Sequence, residues 1–269
     1  MIIRIAALLS YIIIFMLNSS TSQNFEEARY VGTKQDFKDF LCNEMIYPEE
    51  ALNNHIQGTV KVSFVVDKSG KTKDINVKNS VDPLLADEAK RLVRLMLWEP
   101  ATQYGLPVSS RHEVKIAFRH KKYKRDCDHR GYQKPAFAGE NQDTSFSVYS
   151  YGQVYPTPVP FFKDENMNLS KFIQKNLNYP ELAMQQSIKG NVRIEFVVET
   201  SGKASHFRII EGIGGGCNEE AKRIIKLMRW EPGKLDSIPI RTRMSMEIRF
   251  NLNESSDINY FHNDQNRSF

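Results

Sequence analysis

Residues 47–71 have the sequence YPEEALNNHIQGTVKVSFVVDKSGK, and residues 179–203 have the sequence YPELAMQQSIKGNVRIEFVVETSGK. The repeat extends beyond this pair: residues 40–118 align with residues 172–250 at a constant offset of 132 without a gap, and 27 of the 79 aligned pairs are identical. This period is much longer than the roughly 20–50 residues of a solenoid repeat. The chain of 269 residues therefore contains the same small domain twice.

Each copy has a pattern that predicts the element order helix, strand, strand, helix, strand. The Tyr-Pro-Glu motif predicts a short helix with Pro in its first turn, and Gly58 and Gly190 are predicted to end that helix. An alternating apolar strand then leads into a Ser-Gly-Lys hairpin turn, where Gly70 supplies a positive φ. Asp82 is predicted to cap the second helix, which Trp98-Glu99-Pro100 ends because a residue before Pro disfavours helix.

The closing strand of the second copy has the clearest alternation in the chain. Its apolar residues occupy even positions, namely Ile240, Met244, Met246, Ile248, Phe250 and Leu252. Its odd positions are polar, which indicates a sheet covered on one face only. The predicted fold class is α+β, with two tandem small domains that each pack two helices on one face of a three-stranded antiparallel sheet.

The chain is predicted to divide into five segments. These are a signal peptide (1–22), a first domain (23–125), a linker (126–160), a second domain (161–252) and a polar tail (253–269). The apolar run of 13 residues from Ile5 to Leu17 is shorter than the about 20 residues of a membrane span and is typical of a signal peptide. The rival interpretation is an uncleaved anchor formed by residues 2–17. In the linker, Tyr149, Tyr151 and Tyr155 alternate like a short strand that either covers the sheet or stays part of the linker.

Composition narrows the function classes. A net charge of +5 is mild, and the basic cluster at residues 120–125 is too short to indicate nucleic-acid binding. Three cysteines allow one internal disulfide with three pairings, of which Cys42–Cys127 is favoured. The six histidines lack metal-ligand spacing, so no metal or cofactor is predicted.

The two copies have no His, Cys or Ser in common that lies beside an obvious base, so we do not expect an enzyme. The glycine-rich segment 212–216 is interpreted as a strand-to-helix turn rather than a phosphate loop. Cys217 follows it at a helix start, where a thiol pKa can be lowered, but a structural role is favoured for it.

Taken together, these motifs resemble the C-terminal domain of TonB-family energy transducers. The resemblance rests on Tyr-Pro, the Val-x-Val-x-Phe-Val-Val strand, Ser-Gly-Lys, the Glu-Ala helix and Trp-x-Pro before the final strand. The second copy is closer, since it keeps the glycine-rich segment and Gly233 after Trp230-Glu231-Pro232, whereas the first copy has Ala101 there. The Pro-rich arm expected of a transducer is missing from residues 24–39, and prolines lie between the domains instead.

The resemblance implies a periplasmic interaction protein that binds peptide segments of outer-membrane transporters by strand addition, linked to energy-dependent transport. The alternative is an envelope scaffold or cell-wall-binding module with the same fold and no energy transduction. The expected partner is a TonB-dependent transporter peptide or another envelope protein. A further alternative is that sheet edges pair with each other, within the chain or in a homodimer.

The candidate partner-binding residues lie on the closing strands and in the Tyr-Pro motifs. Alternating polar residues of a closing strand are expected on its outer face, beside an incoming peptide. The candidates are Arg241, Arg243, Ser245, Glu247, Arg249, Arg111, Glu113, Lys115, Tyr179 and Tyr47.

Overall fold

The computed structural model describes residues 24–133 and 143–251, and these divide into two compact units. The first unit comprises the described residues within 1–30 and 59–117, and the second those within 31–58 and 118–269. The predicted signal peptide, Leu252 and the polar tail lie outside the described residues.

The described residues form seven α-helices and sixteen strands. The helices are α1 (Lys34–Glu44), α2 (Glu49–Asn53), α3 (Pro83–Leu95), α4 (His120–Arg130), α5 (Leu169–Asn176), α6 (Glu181–Gln185) and α7 (Cys217–Leu227). The strands are β1 (Phe25–Glu26), β2 (Arg29–Tyr30), β3 (Gly58–Val66), β4 (Thr72–Asn79), β5 (Trp98–Glu99), β6 (Ala101–Gln103), β7 (Leu106–Val108), β8 (Ser110–Phe118), β9 (Val148–Ser150), β10 (Val159–Phe161), β11 (Gly190–Val198), β12 (Ala204–Glu211), β13 (Arg229–Glu231), β14 (Lys234–Leu235), β15 (Ile238–Pro239) and β16 (Arg241–Phe250).

The first unit contains a three-stranded sheet in the order β4-β3-β8 and the helix α3. Asp82 caps α3 as predicted, since its carboxylate accepts a hydrogen bond of 2.8 Å from the Leu84 amide. The predicted apolar stripe of α3 is buried, as are the alternate apolar residues of β3. The stripe consists of Ala89, Leu92, Val93 and Met96.

The Ser-Gly-Lys turn and the Trp-Glu-Pro motif contact each other within each unit. Gly70 has a φ of +80°, and a Cβ built on it would lie 2.0 Å from the carbonyl oxygen of Trp98. Gly202 has a φ of +76°, and its Cβ would lie 2.5 Å from the carbonyl oxygen of Trp230. Both the left-handed backbone and this close approach require glycine. The contact explains why both copies retain the two motifs.

The second unit contains a four-stranded sheet in the order β12-β11-β16-β9. Strand β11 pairs antiparallel with β12 and β16, and the helices α5, α6 and α7 share one buried cluster with the inward residues of β11 and β16. The three-stranded antiparallel sheet with helices on one face is therefore as predicted. The fourth strand, β9, is parallel to β16 and contains Tyr149, so the tyrosine segment covers part of the sheet edge.

The predicted end of the first short helix is wrong in both copies. Helices α2 and α6 end at Asn53 and Gln185, and the following chain turns through His55 and Ser187, with φ values of 54° and 52°. Gly58 and Gly190 instead begin strands, and Pro precedes each helix as its N-cap. The left-handed turn needed after the helix is formed here by residues other than glycine, which sequence rules do not anticipate.

The end of α3 also lies earlier than predicted, at Leu95, and Trp98 begins the strand β5. All three cysteines are free, so the favoured Cys42–Cys127 disulfide is not formed. Burial raises the pKa of the Cys217 thiol, and the nearby Glu219 and Glu220 raise it further, which is opposite to the effect expected at a helix start. No helix within the described ranges is long and apolar enough to cross a bilayer.

Candidate functional site

Two closing strands lie at or near the edges of their sheets. In the first unit, β8 is the last strand of its sheet. In the second unit, β9 pairs with β16 only at Arg241, Thr242 and Arg243. Among the residues the structure describes, no strand pairs with residues 244–250 on that side of β16. These backbone groups form the candidate site, which we call the β16 edge.

The opposite edge of this sheet is packed against α1. The ring of Phe40 lies 5.1 Å from that of His206 on β12, and the Glu44 carboxylate accepts a 2.5 Å hydrogen bond from Ser201. Asp36 pairs with the Lys226 ammonium of α7 at 2.7 Å. Because α1 packs against the β12 side of the sheet, we take the β16 edge on the other side as the candidate for a partner strand.

Sequence reasoning missed this packing of α1. The first turn of α1 precedes the aligned repeat, so the comparison of the two copies did not mark Asp36. Its pairing with Lys226 is a tertiary contact between residues far apart in the chain, and no local pattern reports it.

The alternation predicted that Arg241 is exposed on the outer face of the sheet, but its side chain is buried. Its side chain is 3% exposed, and it donates to the Glu199 carboxylate at 2.7 and 2.9 Å. A third bond of 3.0 Å runs to the carbonyl oxygen of Phe146, just before β9. The alternation assigned the correct face, but the chain segment leading into β9 covers that face at this position. Arg241 therefore anchors the β9 segment.

The charges around Glu199 are satisfied inside the protein. Burial alone raises the pKa of the Glu199 carboxyl, but Arg241 and His206 outweigh it and hold that pKa well below its usual range. Burial lowers the pKa of His206 more than Glu199 raises it, which favours the neutral imidazole. Ser205 donates to Glu199. Glu199 and His206 are both buried, so this cluster has a structural role.

The remaining odd residues of β16 lie on the outer face. Arg243 is exposed and donates to Glu195 at 3.2 Å, and Ser245 is half-buried. Glu247 accepts a 2.7 Å hydrogen bond from the Asn191 amide and lies 3.6 Å from Arg193. Arg249 is exposed and makes no ion pair with a described residue. The outer face of β16 thus carries two exposed guanidinium groups, of which Arg243 is shared with Glu195 and Arg249 is not.

In the first unit, the predicted residues Arg111, Glu113 and Lys115 are exposed on β8. Glu113 pairs with Lys61 of the neighbouring strand at 2.6 Å, and this ion pair lowers the pKa of the Glu113 carboxyl. Arg111 and Lys115 make no ion pair with a described residue. This strand also presents a basic outer face.

The two predicted tyrosines point into the protein. The hydroxyl of Tyr47 donates to the carbonyl oxygen of Ile56 at 2.5 Å, and that of Tyr179 donates to Ile188 at the same distance. Tyr179 also packs edge-on against Phe250 with ring centroids 5.7 Å apart. Each tyrosine closes the turn after a short helix, which accounts for its recurrence in both copies, and neither lies on a sheet edge.

Both copies of the repeat match a known protein family. A model of the family described as Gram-negative bacterial TonB protein C-terminal matches residues 43–120 and 175–252, together more than half of the chain. A similar solved structure is the solution NMR structure of the Pseudomonas aeruginosa TonB CTD, with 21% identity and a TM-score of 0.26, covering 37% of this chain and 90% of that chain. No curated protein matches the chain.

Proposed function

Because this chain belongs to the TonB C-terminal domain family and carries the domain twice, we propose that it is a periplasmic protein that binds an extended peptide of an outer-membrane transporter. The family is a protein-interaction domain, and the binding mode we propose is strand addition. The observation that carries the proposal is the β16 edge, where pairing with β9 stops at Arg243.

Strand addition uses backbone hydrogen bonds for affinity and alternate side chains for selectivity. The β16 edge offers residues 244–250, which span about 20 Å at roughly 3.3 Å per residue. This length matches that of an average strand. The side chains at even-numbered positions of β16 are buried in the core. The side chains at odd-numbered positions are therefore the ones that contact a bound peptide.

Charge selects the peptide. Arg243 and Arg249 are exposed on the outer face, and only Glu247 opposes them on this strand. We therefore expect a peptide with acidic or small polar residues at alternate positions, because complementary charge speeds the encounter and sets the register. Arg241 is excluded from this role because its guanidinium is bound to Glu199.

The first copy provides a second candidate edge on β8. Its exposed residues Arg111 and Lys115 suit the same class of peptide. Two binding strands in one chain would raise the avidity for a transporter, provided that both engage at once. We also include in the proposal the link to energy-dependent transport, which membership of the family supports.

The location is part of the proposal. The apolar run before Asn18 and the small residues after it favour cleavage near Ser22, which would release the protein into the periplasm. The intact mass of the protein recovered from its own cells tests this. A mature chain beginning near Gln23 supports the proposal, whereas retention of residues 2–17 in the membrane fraction contradicts it.

In-cell photo-cross-linking tests the partner. A photoreactive phenylalanine analogue is placed at Ser245 in the full chain, with a control at Glu219, which is exposed on α7. We expect an outer-membrane transporter to be captured from position 245 and not from position 219. Equal capture from both positions, or capture of cell-wall components alone, would contradict the proposed function.

A further inference from the structure

A cavity of about 640 Å³ lies in the second unit between the helices α2 and α4. Its volume falls within the roughly 300–1,000 Å³ typical of small-molecule sites. One stripe of α4 forms a wall, because His120, Lys124 and Cys127 are spaced three or four residues apart. The end of α2 forms the facing wall, and the residues after α4 close the far end.

The inner part of the cavity is apolar. It is lined by Leu52 and by the buried side chains of Tyr123 and Cys127. The Tyr123 hydroxyl is already engaged, since it donates to the carbonyl oxygen of Gln133 at 2.9 Å. This region therefore suits an apolar body rather than a polar group.

Two imidazoles are fixed at one side of the cavity. The Nε2 of His120 donates to the carbonyl oxygen of Ile56 at 3.2 Å, since a carbonyl can only accept. The His120 ring packs against the Tyr47 ring at 5.0 Å and the His55 ring at 5.5 Å. His55 is placed by the left-handed turn after α2. The imidazoles are thus held by the fold before any ligand arrives.

The lining has an excess of cationic groups at the start of α4. Lys121 and Lys124 line the cavity and make no ion pair with any residue that the structure describes, and Asp128 is the one acidic residue among the described lining residues. Lys122 lies between them on another face and pairs with Asp126. The first turn of α4 contains no acidic residue, so its positive helix end adds to the positive charge. The lining of the cavity is therefore cationic at the start of α4 and apolar deeper inside.

We propose that this cavity binds a small organic carboxylate with an aliphatic tail. The carboxylate lies between Lys121 and Lys124, and the tail lies along Leu52 and Cys127. The site is formed by α2 and α4 and does not involve the β16 edge. It is therefore independent of peptide binding, and failure of either proposal leaves the other standing.

Isothermal titration of the full chain tests the site with decanoate and its methyl ester, which share a tail and differ in charge. We expect decanoate to bind and the ester to bind about tenfold more weakly or worse, because the ester cannot pair with two ammonium groups. The double variant Lys121→Gln/Lys124→Gln should weaken decanoate binding by a similar factor and leave ester binding unchanged.

Lys122→Gln is the control, because it removes one positive charge from the same helix outside the cavity, where the double variant removes two from the lining. It should leave decanoate binding unchanged, and circular dichroism should show that all variants are folded. Equal binding of acid and ester, equal loss in the control and the double variant, or no decanoate binding to the folded chain would overturn the proposal.

Discussion

Replacing Arg241 with Gln separates the anchoring arginine from the peptide-facing ones. Arg241 and Glu199 are 3% and 1% exposed and share contacts of 2.7 and 2.9 Å. Removing one partner of such a pair leaves a buried charge without its counter-ion, which costs about 3–5 kcal/mol. The lost bond to the Phe146 carbonyl adds about 1 kcal/mol. We therefore expect Arg241→Gln to lower the free energy of unfolding of the second unit by about 4–6 kcal/mol.

Arg243→Gln is the matched control, two residues along the same face of the same strand. Arg243 and Glu195 are 45% and 26% exposed and share one contact of 3.2 Å. Pairs in such surroundings contribute about 0–1 kcal/mol. The control should therefore unfold almost like the unsubstituted protein.

Urea unfolding measured by tryptophan fluorescence reports on the second unit when Trp98 is replaced by Phe. Trp230 is then the remaining tryptophan, and it packs 5.4 Å from Phe196 in the core. Replacing Glu199 as well, as Glu199→Gln/Arg241→Gln, should recover part of the loss because no buried charge remains unpaired. If Arg241→Gln lowers the free energy of unfolding no more than Arg243→Gln does, then Arg241 does not anchor the β9 segment.

Three further outcomes are expected. Gly70→Ala should destabilise the first unit by at least about 2 kcal/mol more than Gly105→Ala in urea unfolding. Both glycines have a positive φ, but only at Gly70 would the new Cβ lie 2.0 Å from a carbonyl oxygen. Equal losses of stability in the two variants would contradict this. Burial raises the pKa of Asp36, but Lys226 and Thr33 outweigh it and bring the pKa from 3.8 to about 2, so its contribution is present above pH 3.8 and is lost as the pH falls towards 2. Acid titration of Asp36→Asn should therefore show a smaller loss of stability in that range, and an unchanged loss would count against the ion pair. Burial and Glu44 raise the pKa of Tyr132 to about 12 from 10.0, so stability should fall as the pH rises through that interval, and less so in Tyr132→Phe.

Local pattern predicted the parts of the fold that depend on neighbouring residues. The alternation in β16 identified its buried apolar residues, and Asp82 before Pro83 located the start of α3. Gly70 marked the hairpin turn because few other residues tolerate that backbone. Each of these features is determined within a few residues of the chain.

The parts that were missed depend on tertiary contacts. Periodicity assigned Arg241 to the outer face, but it could not show that the segment around Phe146 covers that face. The packing of α1 on β12 within the second unit depends on the contact between Phe40 and His206, which lies far away in sequence. Tyr47 and Tyr179 occur in both copies because each hydroxyl makes the same hydrogen bond inside its domain. The recurrence of a residue in both copies therefore does not distinguish a structural role from a role in binding.

Hydrogen exchange of the full chain, measured by NMR with and without the transporter peptide recovered by cross-linking, tests whether a peptide adds a strand to β16. Strand addition places new hydrogen bonds on alternate amides of a strand. We predict that alternate amides among residues 244–250 exchange more slowly in the complex, while those of Arg241 to Arg243, already beside β9, change little. Saturated peptide binding with unchanged exchange across residues 244–250 would contradict strand addition at the β16 edge.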